Sequence, residues 1–531
     1  MARLTGTVLP LAAVLALVLA GTAGRAETPS DAARAVPVAP EGTGTAGWQD
    51  EPHLDIVPRT AEEAARIAAA LAPPADFAAP ESFETKPAGA ATARYIPGAD
   101  AFSQFSPNMP VAREMDFRIG NGLFRKLWVG APSSTRGSDG LGPLYNARAC
   151  QNCHIKDGRG HMPDGPDDSR VSAFLRLSVP GGPDRLQIPD HIPTSPDPVY
   201  GGQLQDLALA GFAAEGRMGV AWTEEPVTLA DGTVVSLRRP SYAVENPAHG
   251  APHPELQISP RVAPQMIGLG LLEAVPVADI LALADPDDRN GDGISGRPQI
   301  VWSSEFDRPM LGRFGHKAGN ATIREQSASA FLGDMGLSTT LFPFPSGECT
   351  DAQAQCRAAP AGQEPGIRDG LEVDGESLDL VTFYSRNLAV PARRQAGDPL
   401  VLRGKEIAHA IGCTACHNPK FVTHRLADQP EQSFQLIWPH SDLLLHDMGE
   451  GLADHRPESR ASGREWRTAP LWGISLNRAV TGTESYLHDG RARSLIEAIL
   501  WHGGEAQAAR DAVVALPAPD REALIAWLES L

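Results

Sequence analysis

The 531-residue chain is short of basic side chains and of cysteine. It has 46 Lys and Arg against 65 Asp and Glu, a formal charge of −19, and only six cysteines. A nucleic-acid-binding surface needs a surplus of Lys and Arg, so the charge balance argues against that function. Six cysteines are too few for a disulfide-built scaffold in a chain of this length. The hydrophobic content of 42% and charged content of 21% are typical of a folded soluble protein.

Long apolar runs are also missing, except at the start of the chain. Arg3 precedes an apolar run over residues 8–20, and Gly24 and Ala26 stand at the −3 and −1 positions of a signal-peptidase site. This pattern is typical of an export signal, and the run is shorter than the ~20 residues that span a bilayer. We therefore predict that residues 1–26 are cleaved and that the product is periplasmic and not membrane-spanning.

Four of the six cysteines lie in two copies of one motif, Cys150-x-x-Cys153-His154 and Cys413-x-x-Cys416-His417. With this spacing, two thiols on one helical turn can add to the vinyl groups of a haem, and the adjacent histidine lies under the iron. A zinc site would need four ligands close together, and a redox dithiol needs no histidine after each copy. The sequence therefore predicts two covalently bound haem c groups, with His154 and His417 as iron ligands.

The other two cysteines, Cys349 and Cys356, enclose the polar loop 350–355. In an exported protein this spacing favours a disulfide across the loop. The alternative is a reactive thiol pair that takes part in redox catalysis.

Changes of composition divide the rest of the chain. Residues 171–260 alternate short apolar runs with turn residues, and a hairpin is predicted around Asp231-Gly232. Helical periodicity is seen at 61–72, 263–283, 322–332, 377–388 and 521–531. We predict a mainly α fold of two cytochrome c-like haem domains with long loops and a β-rich insertion. The predicted segments are an Ala/Pro-rich arm or linker (27–95), an N-terminal haem region (96–170), the insertion (171–260), a helical and loop region that completes the N-terminal haem pocket (261–395) and a C-terminal haem domain (396–531).

Several further blocks accompany the two haem motifs. They are GPLYN (142–146), KDGRG (156–160), SPR (259–261), GLGLLE (268–273), LGRFG (311–315), DLLLHDMG (442–449), EWRT (465–468), LHDGRA (487–492) and ILWHGGEA (499–506). With them, residues 117–531 resemble the di-haem oxidoreductase family, whose members are also described as thiol oxidoreductases. That family is distantly similar to the bacterial di-haem cytochrome c peroxidases.

The resemblance implies ligands for the C-terminal haem. In the peroxidase relatives a methionine downstream of a His-Asp-Gly segment binds the iron; the residue at the same distance after His488 here is His502. The implied axial pair is therefore His417 and His502, with Met448 as a reserve ligand. The alternative is that His502 packs against Trp501 or hydrogen-bonds a haem propionate.

For the N-terminal haem, the relatives place a tryptophan between the haems and a glutamine about ten residues later. His316 and Gln326 stand at these positions, so the resemblance implies that both belong to the catalytic pocket. The distal glutamate of the peroxidases has no clean match, and Asp334 is merely nearby. His161 and His316 are further candidates for a sixth ligand, although each is more often an ordinary hydrogen-bonded histidine.

Two other groups of side chains are candidates for binding. Asp288, Asn290 and Asp292 match the first half of an EF-type calcium loop, but Gln299 stands where the bidentate glutamate is needed. The loop is therefore interpreted either as a site for one calcium ion or as an Asp/Gly-rich turn without metal, and the sequence favours neither. At least one of Arg467, Arg491 and Arg493 is predicted to pair with haem propionates, and for any one of them a surface ion pair with Asp489 or Glu497 is the alternative.

Together these features predict a periplasmic, peroxidase-like haem c oxidoreductase. Electrons from a small redox protein would enter at the C-terminal haem and reach an N-terminal catalytic haem, where a small-molecule oxidant or substrate binds. The alternatives are a di-haem enzyme that oxidises thiols or amino-acid side chains, and a non-catalytic di-haem electron-transfer protein.

Overall fold

The computed structural model describes residues 47–163 and 172–531. The predicted signal peptide and the first part of the predicted arm lie outside these residues. The α-helices of the described residues are α1 Ala61–Leu71, α2 Glu114–Phe124, α3 Cys150–Cys153, α4 Leu269–Glu273, α5 Val277–Leu281, α6 Ile323–Met335, α7 Ala354–Arg357, α8 Gly375–Arg386, α9 Pro399–Ala410, α10 Asn477–Thr481, α11 Leu495–Leu500, α12 Gln507–Ala515 and α13 Ala518–Ser530. Single turns of 3₁₀ helix occur at Gly89–Ala91, Val111–Arg113, Ile155–Asp157, Arg368–Gly370, Cys413–Ala415, Ile474–Leu476 and Gly504–Ala506.

Short strands pair into many small sheets. The strands are β1 Ile56–Val57, β2 Thr92–Ala93, β3 Val129–Gly130, β4 Asp139–Leu141, β5 Leu144–Tyr145, β6 Ala173–Pro180, β7 Thr194–Ser195, β8 Leu207–Ala208, β9 Arg217–Thr228, β10 Val234–Glu245, β11 Gln257–Val262, β12 Ile300–Ser303, β13 Arg308–Leu311, β14 Val390–Pro391, β15 Phe421–Val422, β16 Arg425–Leu426, β17 Leu436–Ile437, β18 Leu445–Asp447 and β19 Glu465–Arg467. Within the described residues, one sheet has three strands in the order β11-β6-β7, and the others have two. Several pairs join distant parts of the chain, such as β1 with β16 and β2 with β14.

The prediction of a mainly α fold is wrong, because helices make up only 27% of the structure and strands 18%. The predicted helix over 263–283 shows the physical reason. Gly268 adopts a left-handed backbone (φ 73°) at the start of α4, and Pro276 interrupts the segment just before α5. Two helices of five residues replace one long helix, since proline has no amide hydrogen to donate and clashes with the preceding turn.

Three longer helices, α2, α6 and α8, surround the first haem motif. Phe117 and Phe124 of α2 pack against Tyr384 of α8, with ring centroids 4.8 and 5.2 Å apart. Thr322 caps α6 by accepting a hydrogen bond from the Glu325 amide, and Asp374 caps α8 through the Ser377 amide. Such caps satisfy amide groups that have no partner within the helix.

The second motif follows directly after α9, which packs against the C-terminal helix α13. Gly404 is required at this crossing, because a Cβ there would collide with the carbonyl oxygen of Ala523. Val401, Leu524 and Trp527 are buried around the contact. Gly412, with φ 87°, ends the segment and turns the chain into the 3₁₀ turn Cys413–Ala415. The close packing of α9 on α13 therefore positions the second motif.

The predicted hairpin is confirmed. β9 and β10 are antiparallel over twelve residues each, with Thr228 opposite Val234 across the loop that contains Asp231-Gly232. The end of the hairpin contacts the C-terminal part of the chain, where the Ala230 amide donates to the Val514 carbonyl over 2.9 Å. Leu237 is buried in the same apolar cluster as Leu495 and Trp501. The hairpin therefore contributes to the core around the second motif.

No helix among residues 47–163 and 172–531 combines the length and the apolar character needed to cross a bilayer.

Replacing Leu237 by alanine should lower the free energy of unfolding by about 2–5 kcal/mol, because it leaves a cavity in this cluster. Val234→Ala is the matched control, since Val234 lies on the same strand and is 59% exposed; its effect should stay within about 0.5 kcal/mol. Denaturant titration of both variants measures the difference. Equal effects would show that the hairpin does not support the C-terminal core.

Candidate functional site

Both haem motifs line one large cavity in the middle of the described residues. Its volume is about 890 Å³, and its wall includes Cys150, Cys153 and His154 together with Cys413, Cys416 and His417. Most of the remaining wall is apolar. A shared cavity of this size, lined by two pairs of thiols and two imidazoles, is suited to large planar cofactors.

The histidine of each motif is held in the same way. His154 Nδ1 lies 2.7 Å from the Pro264 carbonyl oxygen, and His417 Nδ1 lies 2.9 Å from that of His440. Each Nδ1–H therefore donates to a backbone oxygen, and Nε2 remains as the acceptor atom on the cavity side. A histidine that binds metal usually donates its other ring N–H in this manner, which fixes its orientation and tautomer.

His502 has the same arrangement at the C-terminal side. It lines the cavity, and its Nδ1 lies 2.8 Å from the Ala498 carbonyl oxygen one turn back along α11. Burial lowers the pKa of His417 to about 4, and the repulsion that two protonated imidazoles would exert on each other contributes, so His417 and His502 lie within electrostatic range. Met448 also lines the cavity. The structure thus brings both predicted distal candidates to the wall.

Burial keeps these groups uncharged. It lowers the pKa of His154 to about 4 and that of His502 in the same direction. It raises the pKa of Cys150 to about 12 and that of Cys413 to about 11. A catalytic dithiol or a zinc site needs thiolates with lowered pKa values, whereas neutral imidazoles suit haem iron.

The cavity wall carries more positive than negative charge. Seven arginines line it, at positions 159, 176, 261, 313, 456, 467 and 510, against four carboxylates, at 292, 334, 458 and 505. Among the described residues, Arg467 donates only to the backbone oxygens of Gly315 and Thr468, and burial lowers its pKa to about 10. Arg159 donates to the Leu487 carbonyl, and its Nε has no partner among the described residues. Both side chains are half-buried, and guanidinium groups in such an apolar wall need anionic partners once a cofactor excludes water from the cavity.

Arg491, the second predicted propionate partner, lies elsewhere. It does not line the cavity; its Nη2 is 2.8 Å from Asp489 Oδ2, and both side chains are buried. Sequence reasoning did not select Arg159, Arg261 or Arg456, although two of them lie in the quoted KDGRG and SPR blocks. The presence of Arg159 and Arg261 in these blocks was the sequence signal that could have identified them as cavity residues.

Gln326 and Asp334 both line the part of the cavity next to the first motif, on one face of α6. Asn320 Nδ2 donates to Gln326 Oε1 over 3.0 Å, so the Gln326 amide nitrogen is left as a donor. Gln203 Nε2 donates to Asp334 Oδ1 over 2.8 Å, and burial raises the pKa of Asp334.

The two other predicted histidines differ in position. His316 lines the cavity, but its Nε2 lies 2.8 Å from the Val262 carbonyl, so the nitrogen that usually binds iron is already engaged. His161 does not line the cavity, and its amide donates to Ser172 Oγ.

A buried charged triad beside the second motif was missed from the sequence. His446 lies between Asp442, 2.7 Å from Nε2, and Glu505, 2.7 Å from Nδ1, and its Nδ1 is 3.6 Å from Cys416 Sγ. Burial opposes a charge on His446, but the hydrogen bonds to Asp442, Cys416 and Glu505 outweigh it and raise the pKa to about 12. His446 is therefore an imidazolium next to the cavity.

The predicted calcium loop is folded as an Asx-rich turn. Asp288 Oδ1 accepts from the Gly293 amide, and Asp292 Oδ1 accepts from the Ile294 amide. Among the described residues, no group of three or more His, Cys, Asp or Glu side chains is arranged to hold a metal ion. Calcium binding through Asp288, Asn290 and Asp292 stays a prediction.

Cys349 and Cys356 form a disulfide, with Cα atoms 5.9 Å apart. This pairing leaves the four motif cysteines as the free thiols of the described chain.

The family model described as "Di-haem oxidoreductase, putative peroxidase" matches residues 83–531. The chain belongs to the di-haem oxidoreductase family. Neither the curated proteins nor the solved structures that were compared with this di-haem oxidoreductase give a match.

The family name implies two haems, and the residues of this cavity fit them. Two Cys-x-x-Cys-His motifs and a third imidazole line one space, and half-buried guanidinium groups that have no carboxylate partner among the described residues are available for propionates. Residues 154, 417 and 502 would bind iron, residues 150, 153, 413 and 416 would hold the haem edges, and Arg159 and Arg467 would pair with propionates.

The identity of the sixth ligand of the C-terminal haem can be tested by substitution. If His502 is the ligand, His502→Ala should convert one low-spin ferric signal to high-spin, whereas His502→Met should keep it low-spin and raise its midpoint potential. Paramagnetic resonance of protein that carries two haems per chain measures both effects.

Met448→Ala is the matched control for this experiment. Met448 lines the same cavity. If His502 is the ligand, substitution of Met448 should leave the low-spin signal unchanged. A spin change in Met448→Ala but not in His502→Ala would assign the ligand to Met448 instead.

Proposed function

We propose that this di-haem oxidoreductase is a periplasmic c-type peroxidase that reduces a small peroxide with electrons from a small redox protein. The observation that carries the proposal is the asymmetry of the shared cavity. A second imidazole, His502, faces the C-terminal motif, whereas the α6 face near the N-terminal motif offers an amide and a carboxyl group, Gln326 and Asp334. The first arrangement suits electron transfer and the second suits binding of an oxidant.

The two haems, when bound, would supply the redox centres and the site at which peroxide binds. His417 and His502 would both bind the iron of the C-terminal haem, which suits that haem to electron transfer. His154 would bind the iron of the N-terminal haem. Because His316 Nε2 is engaged by Val262, this histidine is a poor candidate to close the other side.

Gln326 would orient the peroxide. Its oxygen accepts from Asn320 Nδ2, so its own Nε2 is directed to a different partner and can donate to a peroxide oxygen. The amide carries no charge and does not titrate, so it can hold the oxidant without taking its proton.

Asp334 would supply a proton. Gln203 donates to Asp334 Oδ1, which leaves Oδ2 free to carry a hydrogen, and the raised pKa favours the protonated form. As the O–O bond breaks, this proton passes to the departing oxygen. Overall, two electrons from the redox protein and two protons convert one hydrogen peroxide into two water molecules.

Export is supported by the sequence of residues 1–26, since covalent haem attachment to such motifs takes place after translocation. The net charge of −19 is compatible with a basic redox partner.

Peroxide-dependent oxidation of a reduced cytochrome c by the holoprotein tests the function. Asp334→Asn should lower kcat/KM for peroxide by roughly 100-fold, because it removes the proton donor. The acid must be protonated to act, so the wild-type rate is highest at low pH and falls as the pH rises through the raised pKa of Asp334. The variant should lack this pH dependence.

Asp379→Asn is the control, since Asp379 is an exposed carboxylate paired with Arg324; its rates should equal those of the wild type. A holoprotein that oxidises thiols but does not turn over peroxide would replace the proposed function with thiol oxidation.

A further inference from the structure

Strand β6 carries one guanidinium group, that of Arg176, to the cavity wall, where it has no hydrogen-bonding partner among the described residues. Side chains alternate along this strand, so Leu175 and Leu177 are buried in the core while Phe174 and Arg176 line the cavity. No hydrogen bond or ion pair joins the Arg176 side chain to any residue that the structure describes. Its guanidinium carbon lies 5.3 Å from the centre of the Phe174 ring, which supports the side chain from one side.

The neighbouring arginine on the same sheet face shows the contrast. Arg261 of β11 stands opposite Phe174 in the register of the two strands. Its Nε donates to Ser259 Oγ over 2.7 Å, and its Nη2 lies 3.1 Å from Glu458 Oε2. One guanidinium of the sheet face is thus engaged by the protein, and the other is available to a ligand.

The location of Arg176 is next to the proposed peroxide site. A Cβ added to Gly333 would lie 3.9 Å from Arg176 Nη1, so the guanidinium group lies beside the C-terminal part of α6, next to Asp334. The positive charge of Arg176 opposes the rise in the pKa of Asp334 that burial causes, in agreement with this proximity.

The surrounding charges disfavour a permanent carboxylate here. Arg176 acts on the pKa values of three carboxyl groups, those of Asp334, Glu348 and Glu458. A haem propionate at this point would compete with these carboxyl groups for the guanidinium, whereas the pKa values of Arg159 and Arg467 each respond to a single carboxylate, Asp489 and Asp442 respectively. The guanidinium is better suited to a small ligand on which negative charge develops during the reaction than to a haem propionate.

We propose that Arg176 is a catalytic residue of the N-terminal site that donates hydrogen bonds to the oxygen leaving the peroxide. As the O–O bond breaks, the departing oxygen takes up the electron pair and develops negative charge. Arg176 stabilises that charge, the proton of Asp334 converts the oxygen to water, and the two electrons come from the reduced redox protein. This inference rests on the proposed peroxide reduction.

Fluoride provides a probe that does not depend on turnover, because it is a small anion that accepts N–H hydrogen bonds. It is titrated against the ferric holoprotein and followed by absorption. Arg176→Leu should weaken fluoride binding by roughly 10- to 100-fold and lower the rate of reaction with peroxide by a similar factor. Both midpoint potentials, and the binding of neutral carbon monoxide to the ferrous protein, should stay unchanged.

Two further variants complete the experiment. Arg176→Lys keeps the positive charge but loses the planar guanidinium group, so fluoride affinity should fall by an intermediate factor. If Arg176→Leu fails to incorporate both haems, the fluoride affinity of Arg176→Lys tests the assignment in its place. Arg185→Leu is the matched control, since Arg185 also lies over an aromatic ring, that of Trp302, but outside the cavity. It should behave as the wild type.

Unchanged fluoride affinity in Arg176→Leu would overturn the assignment, and a shifted midpoint potential with unchanged fluoride affinity would make Arg176 a propionate partner instead. A wild-type holoprotein that binds no fluoride would also overturn it. If fluoride affinity falls as expected but the wild type does not turn over peroxide, the anion site stands and the proposed function fails.

Discussion

Burial of positive charge around one apolar cavity is the constraint on which the rest of this structure depends. Arg159 and Arg467 line this cavity half-buried and have no carboxylate partner among the described residues, so a cofactor that excludes water from the cavity must bring them an anionic group. Two haems meet this requirement, since each brings a pair of propionates and a large apolar surface. The loops, short helices and small sheets of the fold are then best understood as a wall around these cofactors.

The surroundings of the two haem motifs differ. Near the second motif, α9 and α13 pack closely at Gly404, and the charged triad of Asp442, His446 and Glu505 adds rigid hydrogen bonds beside Cys416. Near the first motif, the face of α6 presents groups that can donate hydrogen bonds or a proton. A rigid site with two imidazoles suits storage and transfer of electrons, because little reorganises when the iron changes charge. A polar site suits the binding of an oxidant.

Local patterns in the sequence predicted the features that depend on local chemistry. The spacing of each Cys-x-x-Cys-His motif, the helices α6 and α8 and the hairpin β9–β10 are each encoded within one continuous segment of the chain. The mainly α fold class was wrong because Gly268 and Pro276 divide a periodic segment, and because pairs such as β1 with β16 join strands about 370 residues apart, which no local pattern reveals. The arginine-rich wall was missed for the same reason, since its members come from distant segments that meet only in the folded chain.

The central claim is that one cavity holds two haems with different coordination, one closed by two imidazoles and one open to an oxidant. Paramagnetic resonance of the wild-type ferric holoprotein tests this most directly. The account predicts one low-spin and one high-spin signal in equal amounts, with the high-spin signal alone changed by a small anionic ligand. Two low-spin signals that both resist such a ligand would contradict it, because both irons would then be closed by protein side chains.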